Sequence, residues 1–469
     1  MELKGKKALV LGAGKSGVSS ARFLARRGAV VALYDRKPVT EWTADAAALG
    51  ESFGVGLIGG ELPSWLLDQI ELLVISPGVP TNSIPARYVD RKDGEVIGEI
   101  ELAYRFLRGR IIAITGSNGK TTTTSLIGKM LSDAGLHVLV GGNIGRPMID
   151  LVEEADSDTI TVVEASSFQL ETIKTFHPNV AICLNVTPNH LDRYPTFLDY
   201  AAAKHRIFMN QTAEDIAILN ADNEITLSWR SGLAARRIMF SIRQELDEGF
   251  FLRGRELVMR ENGSETVLIG RDDLFLRGLH NVENVLAAFA AGRAAGVGLE
   301  AMSRSAASFR GVEHRIEFVA EIAGVKFFND SKATSVDATQ KALAAFDDES
   351  GKIVLIMGGR GKNAPYEPLI PLIKEKVRRI VAIGEEANKI SNELAAAAEI
   401  TYAESLDEAV ATAFSTAVCG DIVLLAPACA SFDMFSSFEH RGEVFKATVL
   451  ELAANAEQGR LGNNATVKR

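Results

Sequence analysis

Cysteine is scarce: Cys183, Cys419 and Cys429 are the only three in 469 residues. Thiols so few and scattered exclude a disulfide framework and fit a reducing cytoplasm. An excess of positive charge is also missing. The formal net charge is −9, which argues against a nucleic-acid binder, whose affinity comes from Lys and Arg neutralising phosphates. No apolar run approaches the ~20 residues a membrane span needs. The opening Met-Glu-Leu-Lys-Gly-Lys-Lys lacks a secretory apolar core, so cytoplasmic localisation without membrane insertion is expected. No short-period repeat is present. What remains, 47% hydrophobic and 24% charged, is the composition of a globular protein long enough for two to four domains.

Three blocks each open with a strand-like run and a Gly-bearing turn. The first is Lys7 to Leu11 followed by Gly12-Ala13-Gly14-Lys15-Ser16-Gly17, with a second strand from Ala29 to Tyr34 ending at Asp35. The second starts at Arg110 to Thr115 and continues through Val138 to Val140, Ile160 to Val163 and Val180 to Leu184. The third contains Val325 to Phe328, Ile353 to Met357, Ile380 to Ile383 and Ile422 to Leu425. Strands alternating with helical segments predict parallel α/β architecture in every block. Boundaries are expected near Gly98 and Gly311, and the polar tail is expected to fray from Asn455.

Residues 112 to 125 carry the sharpest chemistry. An apolar strand runs into Gly116-Ser117-Asn118-Gly119, then Lys120, then hydroxyl residues that open a helix. Such a loop turns backbone N–H groups and a positive helix end toward phosphates, with the Lys on the outer phosphates and a Thr hydroxyl for Mg²⁺. Ile114 stands where the standard pattern has its first Gly, so the loop is a shortened relative.

The first glycine motif reads differently. Gly12 to Gly17 fits G-x-G-x-x-G, and Asp35 follows at the distance where a dinucleotide enzyme binds ribose. Alone, it points to an NAD-dependent oxidoreductase. A plain strand–helix turn and a site for another nucleotide diphosphate are the alternatives. Ser76-Pro77-Gly78 supplies a further anion-binding turn.

Polar residues cluster after later strands, where ligands bind in parallel sheets. Glu164 follows Ile160 to Val163, in the place of a metal-linked carboxylate. Asn185, His190 and Asp192 follow Val180 to Leu184. Lys204 lies among Leu198, Ala201, Ala202, His205 and Phe208 at helical spacing, and a snorkelling surface lysine is its plain reading. Arg315 and Lys332 could compensate charge on a transferring phosphoryl group. Lys362 and Ser431 could hold a substrate carboxylate.

Taken together, these segments resemble the Mur ligase family. The segments are Gly-Ser-Asn-Gly-Lys-Thr-Thr, Gly-Gly-Asn-Ile-Gly, Glu-Ala-Ser-Ser-Phe-Gln-Leu, Asn-His-Leu-Asp-Arg, His-Arg, Asn-Asp-Ser-Lys-Ala-Thr and Pro-Ala-Cys-Ala-Ser-Phe-Asp. Order and spacing agree from Gly12 to about Phe445. Ser431 to Phe435 and Phe438 to Gly442 are most like the D-glutamate-adding branch, and the Asp-Asn-Pro-Arg stretch of the diamino-acid branch is absent.

The resemblance implies three α/β domains. Residues 1–98 would be a Rossmann-like domain for a UDP-linked substrate, 99–311 a central P-loop ATPase-like domain, and 312–469 a Rossmann-like domain for the amino acid. It implies Lys15, Ser16, Asp35, Arg36 and Ser76 near the uridine diphosphate, and Asn143 and Ser166 on the muramoyl part. ATP would meet Gly116, Ser117, Asn118, Gly119, Lys120, Thr121, Thr122 and Asn281, with Arg315, Asp330 and Lys332 from the third domain. Thr121 and Glu164 would hold one Mg²⁺. His190 and a carbamylated Lys204 would hold a second. Thr334, Lys362, Ser431 and Phe438 would form the D-glutamate pocket.

The implied activity is an ATP-dependent amide ligase that joins D-glutamate to UDP-N-acetylmuramoyl-L-alanine through an acyl phosphate, in peptidoglycan precursor synthesis. It would work as a monomer. Two departures fall on substrate loops: Ser335 stands where Asn is usual, and Arg36-Lys37 replaces Thr-Arg.

Overall fold

A computed structural model describes residues 1–81, 84, 94–189, 193–346, 351–361 and 364–466. The chain falls into two compact units. One holds Met1–Asp273 and Val282–Ala307, the other Leu274–Asn281 and Ser308–Arg469.

The first unit contains two sheets. Runs such as Leu-Leu-Val-Ile show no alternation, the mark of strands covered on both faces. Strands β1 (Lys7–Leu11), β2 (Val30–Asp35), β3 (Gly56–Gly59), β4 (Leu72–Ile75) and β5 (Glu95–Gly98) pair in parallel in the order β3-β2-β1-β4-β5. The order reverses between β1 and β4, which opens a crevice beyond their carboxyl ends.

The second sheet is built from β6 (Arg110–Thr115), β7 (Val138–Gly142), β8 (Ile160–Glu164), β9 (Val180–Cys183), β10 (Ile216–Asn220), β11 (Arg236–Ser241), β12 (Gly249–Arg253), β13 (Glu256–Glu261) and β14 (Ser264–Gly270). Its order is β14-β13-β12-β11-β10-β9-β6-β8-β7. Central strand β6 buries Ile112, Ala113 and Ile114 almost completely, each large aliphatic side chain contributing about 1.5–3 kcal/mol by leaving water. Glu101 ties the two sheets together. Its fully buried carboxylate accepts the N–H groups of Lys174, Thr175 and Phe176, the Thr175 hydroxyl and Arg105 Nε. Burial pushes this carboxyl up, but those donors outweigh it and hold the group below the usual carboxylate range.

The second unit has one sheet, from β15 (Glu317–Ile322), β16 (Val325–Asn329), β17 (Ile353–Gly358), β18 (Val377–Ile383), β19 (Glu399–Tyr402) and β20 (Ile422–Leu425). The order is β15-β16-β20-β17-β18-β19, with an apolar cluster on each face.

Two expectations need correction. The blocks are not parallel throughout: β13 and β14 run antiparallel on one edge of the second sheet, and β15 runs antiparallel to β16. The cause is local. Gly254-Arg255, Asn262-Gly263 and Ala323-Gly324 each span two paired strands, and Asn262, Gly263, Ala323 and Gly324 all have positive φ. Two-residue turns of that kind close hairpins and leave no room for a crossover helix. The tail is not frayed from Asn455; the helix Phe438–Thr466 continues through it, although Asn455, Gly459, Gly462, Asn463 and Asn464 are weak helix formers.

Candidate active site

The phosphate loop joins β6 to the helix Lys120–Asp133. Gly119 is the helix N-cap, with φ of 82°, and no side chain caps the first turn. A Cβ at Gly119 would collide with Asn284 Oδ1, which itself accepts the Thr123 hydroxyl at 3.3 Å. The loop is braced from β9. Asn185 accepts Asn118 N–H on its side-chain oxygen and Ser117 N–H on its carbonyl, both at 2.9 Å. An uncapped helix start behind a braced loop is suited to bind phosphate.

Three predicted residues meet at the end of β8. Glu164 is 2% exposed. Thr121 Oγ1 donates to its Oε2 at 2.9 Å, and Asn143 Nδ2 donates to its Oε1 at 2.8 Å. This carboxylate is therefore already aligned with the hydroxyl that opens the phosphate-loop helix.

Lys204 is 1% exposed, so the surface reading fails. Its Nζ donates to Gly116 O at 2.8 Å and lies 4.6 Å from the centre of the Tyr200 ring. Lys120 Nζ donates to the same carbonyl at 2.9 Å and to Ser117 O at 3.1 Å. Burial, reinforced by the charge on Lys120, pushes the Lys204 ammonium down to about 7. Of the residues expected at helical spacing, Ala201 and Phe208 are buried and two depart. Leu198 and Ala202 point to solvent, while Tyr200, Ala201, Ala203 and Lys204 are buried in the Phe197–His205 helix. Tyr200 was missed, although its i, i+4 spacing from Lys204 was a usable signal. Its hydroxyl lies 3.1 Å from Ser117 Oγ. His190 lies outside the described residues.

A cleft of about 760 Å³ opens beyond β1 and β4, where the strand order reverses. Lys15, Ser16, Asp35, Arg36, Ser76 and Asn143 all line it. Gly17 carries no Cβ because one would collide with Gly12 O, and Ser76 Oγ donates to that same oxygen at 3.1 Å. Lys15 Nζ reaches Gly145 O at 2.5 Å, across to the loop that follows β7. The two Asp35 carboxylate oxygens accept the N–H groups of Ala13 at 2.9 Å and Lys37 at 3.0 Å. That carboxylate shapes the glycine turn, so the oxidoreductase reading gains no support from it.

Ser166 caps the short helix Ser167–Leu170 in a reciprocal pair with Gln169, and Gln169 lines the cleft. Arg193, the last residue of the Asn-His-Leu-Asp-Arg segment, was given no role. Its guanidinium stacks 4.1 Å over Phe168 and donates to Pro77 O, Val79 O and Glu171, binding the cleft floor to the second sheet.

In the second unit, Asp330 follows β16 and is 7% exposed. Burial pushes its carboxyl up to about 7, against the pull of Arg315 and Lys332. Arg315 sits between His314 and Ile316, both at positive φ, a strained turn of the kind found at functional loops. Lys332 Nζ lies 5.7 Å from the Phe438 ring centre. Ser431, 2% exposed, accepts the N–H groups of Met434 and Phe435 on its carbonyl. Thr334 N–H donates to Lys332 O, and Ser335 caps the Val336–Ala344 helix, the job an Asn would also do. Asn281 Nδ2 donates to Arg277 O at 2.7 Å. Lys362 lies outside the described residues.

Family models match in three consecutive spans: a MurD-like N-terminal domain of Mur ligases at residues 6–98, a Mur ligase middle domain at 114–292, and a Mur ligase glutamate ligase domain at 314–429. The chain is 48% identical over 453 residues to a protein of Acidobacterium capsulatum named UDP-N-acetylmuramoylalanine–D-glutamate ligase, covering 96% of this chain and 97% of that one. A protein of the same name from Pelotomaculum thermopropionicum is 46% identical, covering 95% and 98%. Among solved structures, UDP-N-acetylmuramate-alanine ligase from Thermotoga maritima shares the fold with a TM-score of 0.56 at 20% identity, over 95% of this chain and 99% of that one. A pseudomurein peptide ligase from Methanothermus fervidus does so with a TM-score of 0.53 at 18% identity, over 95% and 100%.

Proposed function

The chain belongs to the Mur ligase family, and we propose that it catalyses the ATP-dependent addition of D-glutamate to UDP-N-acetylmuramoyl-L-alanine in peptidoglycan precursor synthesis. One observation carries the reading: Asn143 lines the large cleft and also donates to Glu164, whose other oxygen accepts Thr121. A substrate held by its uridine diphosphate in the cleft would thus extend its free carboxylate toward the phosphate loop. The full-length relatives named for D-glutamate addition supply the acceptor.

We assign the domains as 1–98 for the UDP-linked substrate, 99–311 for ATP and 312–469 for the amino acid. Lys15, Ser16, Asp35, Arg36 and Ser76 hold the uridine diphosphate, with Asn143 and Ser166 on the muramoyl arm. The loop from Gly116 to Thr122 takes the ATP phosphates, completed by Asn281, Arg315, Asp330 and Lys332. Thr334, Lys362, Ser431 and Phe438 take D-glutamate. We infer that the chain acts as a monomer, in a reducing cytoplasm that suits its three scattered cysteines.

A carboxylate is a poor electrophile and must be activated. Its oxygen attacks the γ-phosphorus of ATP, the bond to ADP breaks, and an acyl phosphate forms. Lys120 and the amides at the start of the Lys120–Asp133 helix face the charge that builds on the moving phosphoryl group. The neutral amine of D-glutamate then attacks the acyl carbon, phosphate leaves, and the amine loses its proton. Holding three reactants in register supplies much of the acceleration.

Thr121 and Glu164 form an all-oxygen pair of the kind Mg²⁺ favours, and they fit one such ion. An ammonium cannot ligate a cation, so Lys204 fits a second site only as its carbamate, whose anionic oxygen would join an imidazole nitrogen of His190. When bound, Mg²⁺ supplies charge neutralisation on the phosphates. The acyl-phosphate step has a direct test. With ¹⁸O in the substrate carboxylate, one labelled oxygen must appear in released phosphate; unlabelled phosphate would overturn the mechanism.

A further inference from the structure

Arg441 is the largest fully buried side chain among the described residues, 1% exposed. It sits in the first turn of the helix Phe438–Thr466. Each of its hydrogen bonds goes to a neutral acceptor: Nε to Ser331 Oγ at 3.0 Å, Nη2 to Ser331 O at 2.9 Å and Nη1 to Cys429 O at 3.2 Å. Burial pushes its proton affinity down to about 10, so it remains charged at neutral pH. The negative charge of Asp433 favours this cation, but the guanidinium spends its hydrogen bonds on loop oxygens of Ser331 and Cys429, the arrangement of a group that holds loops in place.

The partners define that work. Ser331 lies between Asp330 and Lys332, and its hydroxyl passes the contact on by donating to Phe438 O at 2.7 Å. Cys429 stands two residues before Ser431. Gly359, in the loop after β17 that leads to residue 362, has its Cα turned to Nη1 so closely that a Cβ there would press on the guanidinium. One planar fork therefore braces the loops beyond two adjacent strands, β16 and β20, together with the start of the final helix, and packs beside the loop beyond β17. A guanidinium suits this because its five donors lie in a fixed plane, which an ammonium cannot reproduce.

We propose that Arg441 is the positioning residue of the D-glutamate pocket, locking its loops in register for an acidic amino acid. This rests on the ligase reading, in which Thr334, Lys362, Ser431 and Phe438 line that pocket. The role is distinct from binding: Arg441 acts through Ser331, Cys429 and Phe438.

The test is steady-state kinetics on the full chain with each substrate varied in turn. Arg441→Met should raise the KM for D-glutamate at least tenfold while the KM for ATP and for UDP-N-acetylmuramoyl-L-alanine stay within twofold. Arg441→Lys, which keeps charge without the fork, should fall between Met and wild type. Ser331→Ala, which cuts the relay to Phe438 but leaves the cation, should raise the same KM and serves if Arg441→Met does not fold. A purely structural arginine would instead lower the yield or Tm and leave the KM for D-glutamate unchanged, and that result overturns the proposal. If wild-type protein itself shows no D-glutamate-dependent turnover, the ligase reading fails first and this proposal with it.

Discussion

Lys204 Nζ donates to the carbonyl oxygen of Gly116 at 2.8 Å, in a site where Lys120 Nζ reaches the same oxygen at 2.9 Å. Two ammonium groups on one buried acceptor repel each other, and conversion of Lys204 to a carbamate would replace that repulsion with attraction. Lys204→Ala should therefore be nearly inactive, and a short-chain carboxylic acid in the buffer should restore part of the rate. Full activity of Lys204→Ala in CO₂-depleted buffer would show that the lysine is structural.

Lys120→Ala should lower turnover by about 10²–10³-fold, the scale of losing one electrostatic contact to a transition state. The circular dichroism spectrum and Tm should stay close to wild type, since the carbonyls that Lys120 braces, Gly116 O and Ser117 O, belong to its own loop. Near-normal turnover at saturating ATP would remove the phosphate loop from the mechanism.

The cleft beyond β1 and β4 should bind UDP and reject NAD. Asp35 accepts the N–H groups of Ala13 and Lys37, which fixes the glycine turn, and the cleft is closed on its far side by Asn143 and Gly145 of the loop after β7, where a substrate arm and not a nicotinamide is expected. Calorimetric titration of the full chain with each nucleotide distinguishes the two; tight NAD binding without UDP binding would reverse the assignment.

Stability should carry a pH signature from Glu99. Its carboxyl is 1% exposed, with Oε1 accepting Ile149 N–H at 2.7 Å and Oε2 buried without a partner among the described residues. Burial raises it from 4.5 to about 7, and the negative charge of Asp150 adds to the rise. Between those values the native state holds the proton more tightly than the unfolded chain, so this group's contribution to stability falls as pH rises from 4.5 through 7. Glu99→Gln lacks that loss. Relative to wild type it should gain about 1–3 kcal/mol in unfolding free energy between pH 5 and pH 8. A difference that does not change with pH would contradict this.

What could be read from sequence was local. The phosphate loop, Glu164 and the glycine turn announce themselves because strand, glycine and charged residue are contiguous. The family resemblance followed from the same short segments, and the matched domain models agree with it. What could not be read depends on separation or on facing. Arg441 bonds Ser331 from 110 positions away, and no periodicity encodes that. The buried face of the Phe197–His205 helix was misjudged in part because Lys204 turns inward with Tyr200 while Leu198 stays in water. The antiparallel edges were not anticipated, although Asn262-Gly263 between two strand-like runs is the turn dipeptide of a hairpin.

Phosphate release tests the central claim most directly. The full chain is supplied with ATP, Mg²⁺ and UDP-N-acetylmuramoyl-L-alanine, and D-glutamate, L-glutamate, D-alanine and a diamino acid are added separately. The account predicts sustained release with D-glutamate and close to background with the others, since losing a buried charged hydrogen bond to the side-chain carboxylate costs about 1.5–3 kcal/mol or more. Release independent of any amino acid, or equal rates with D-alanine, would contradict it.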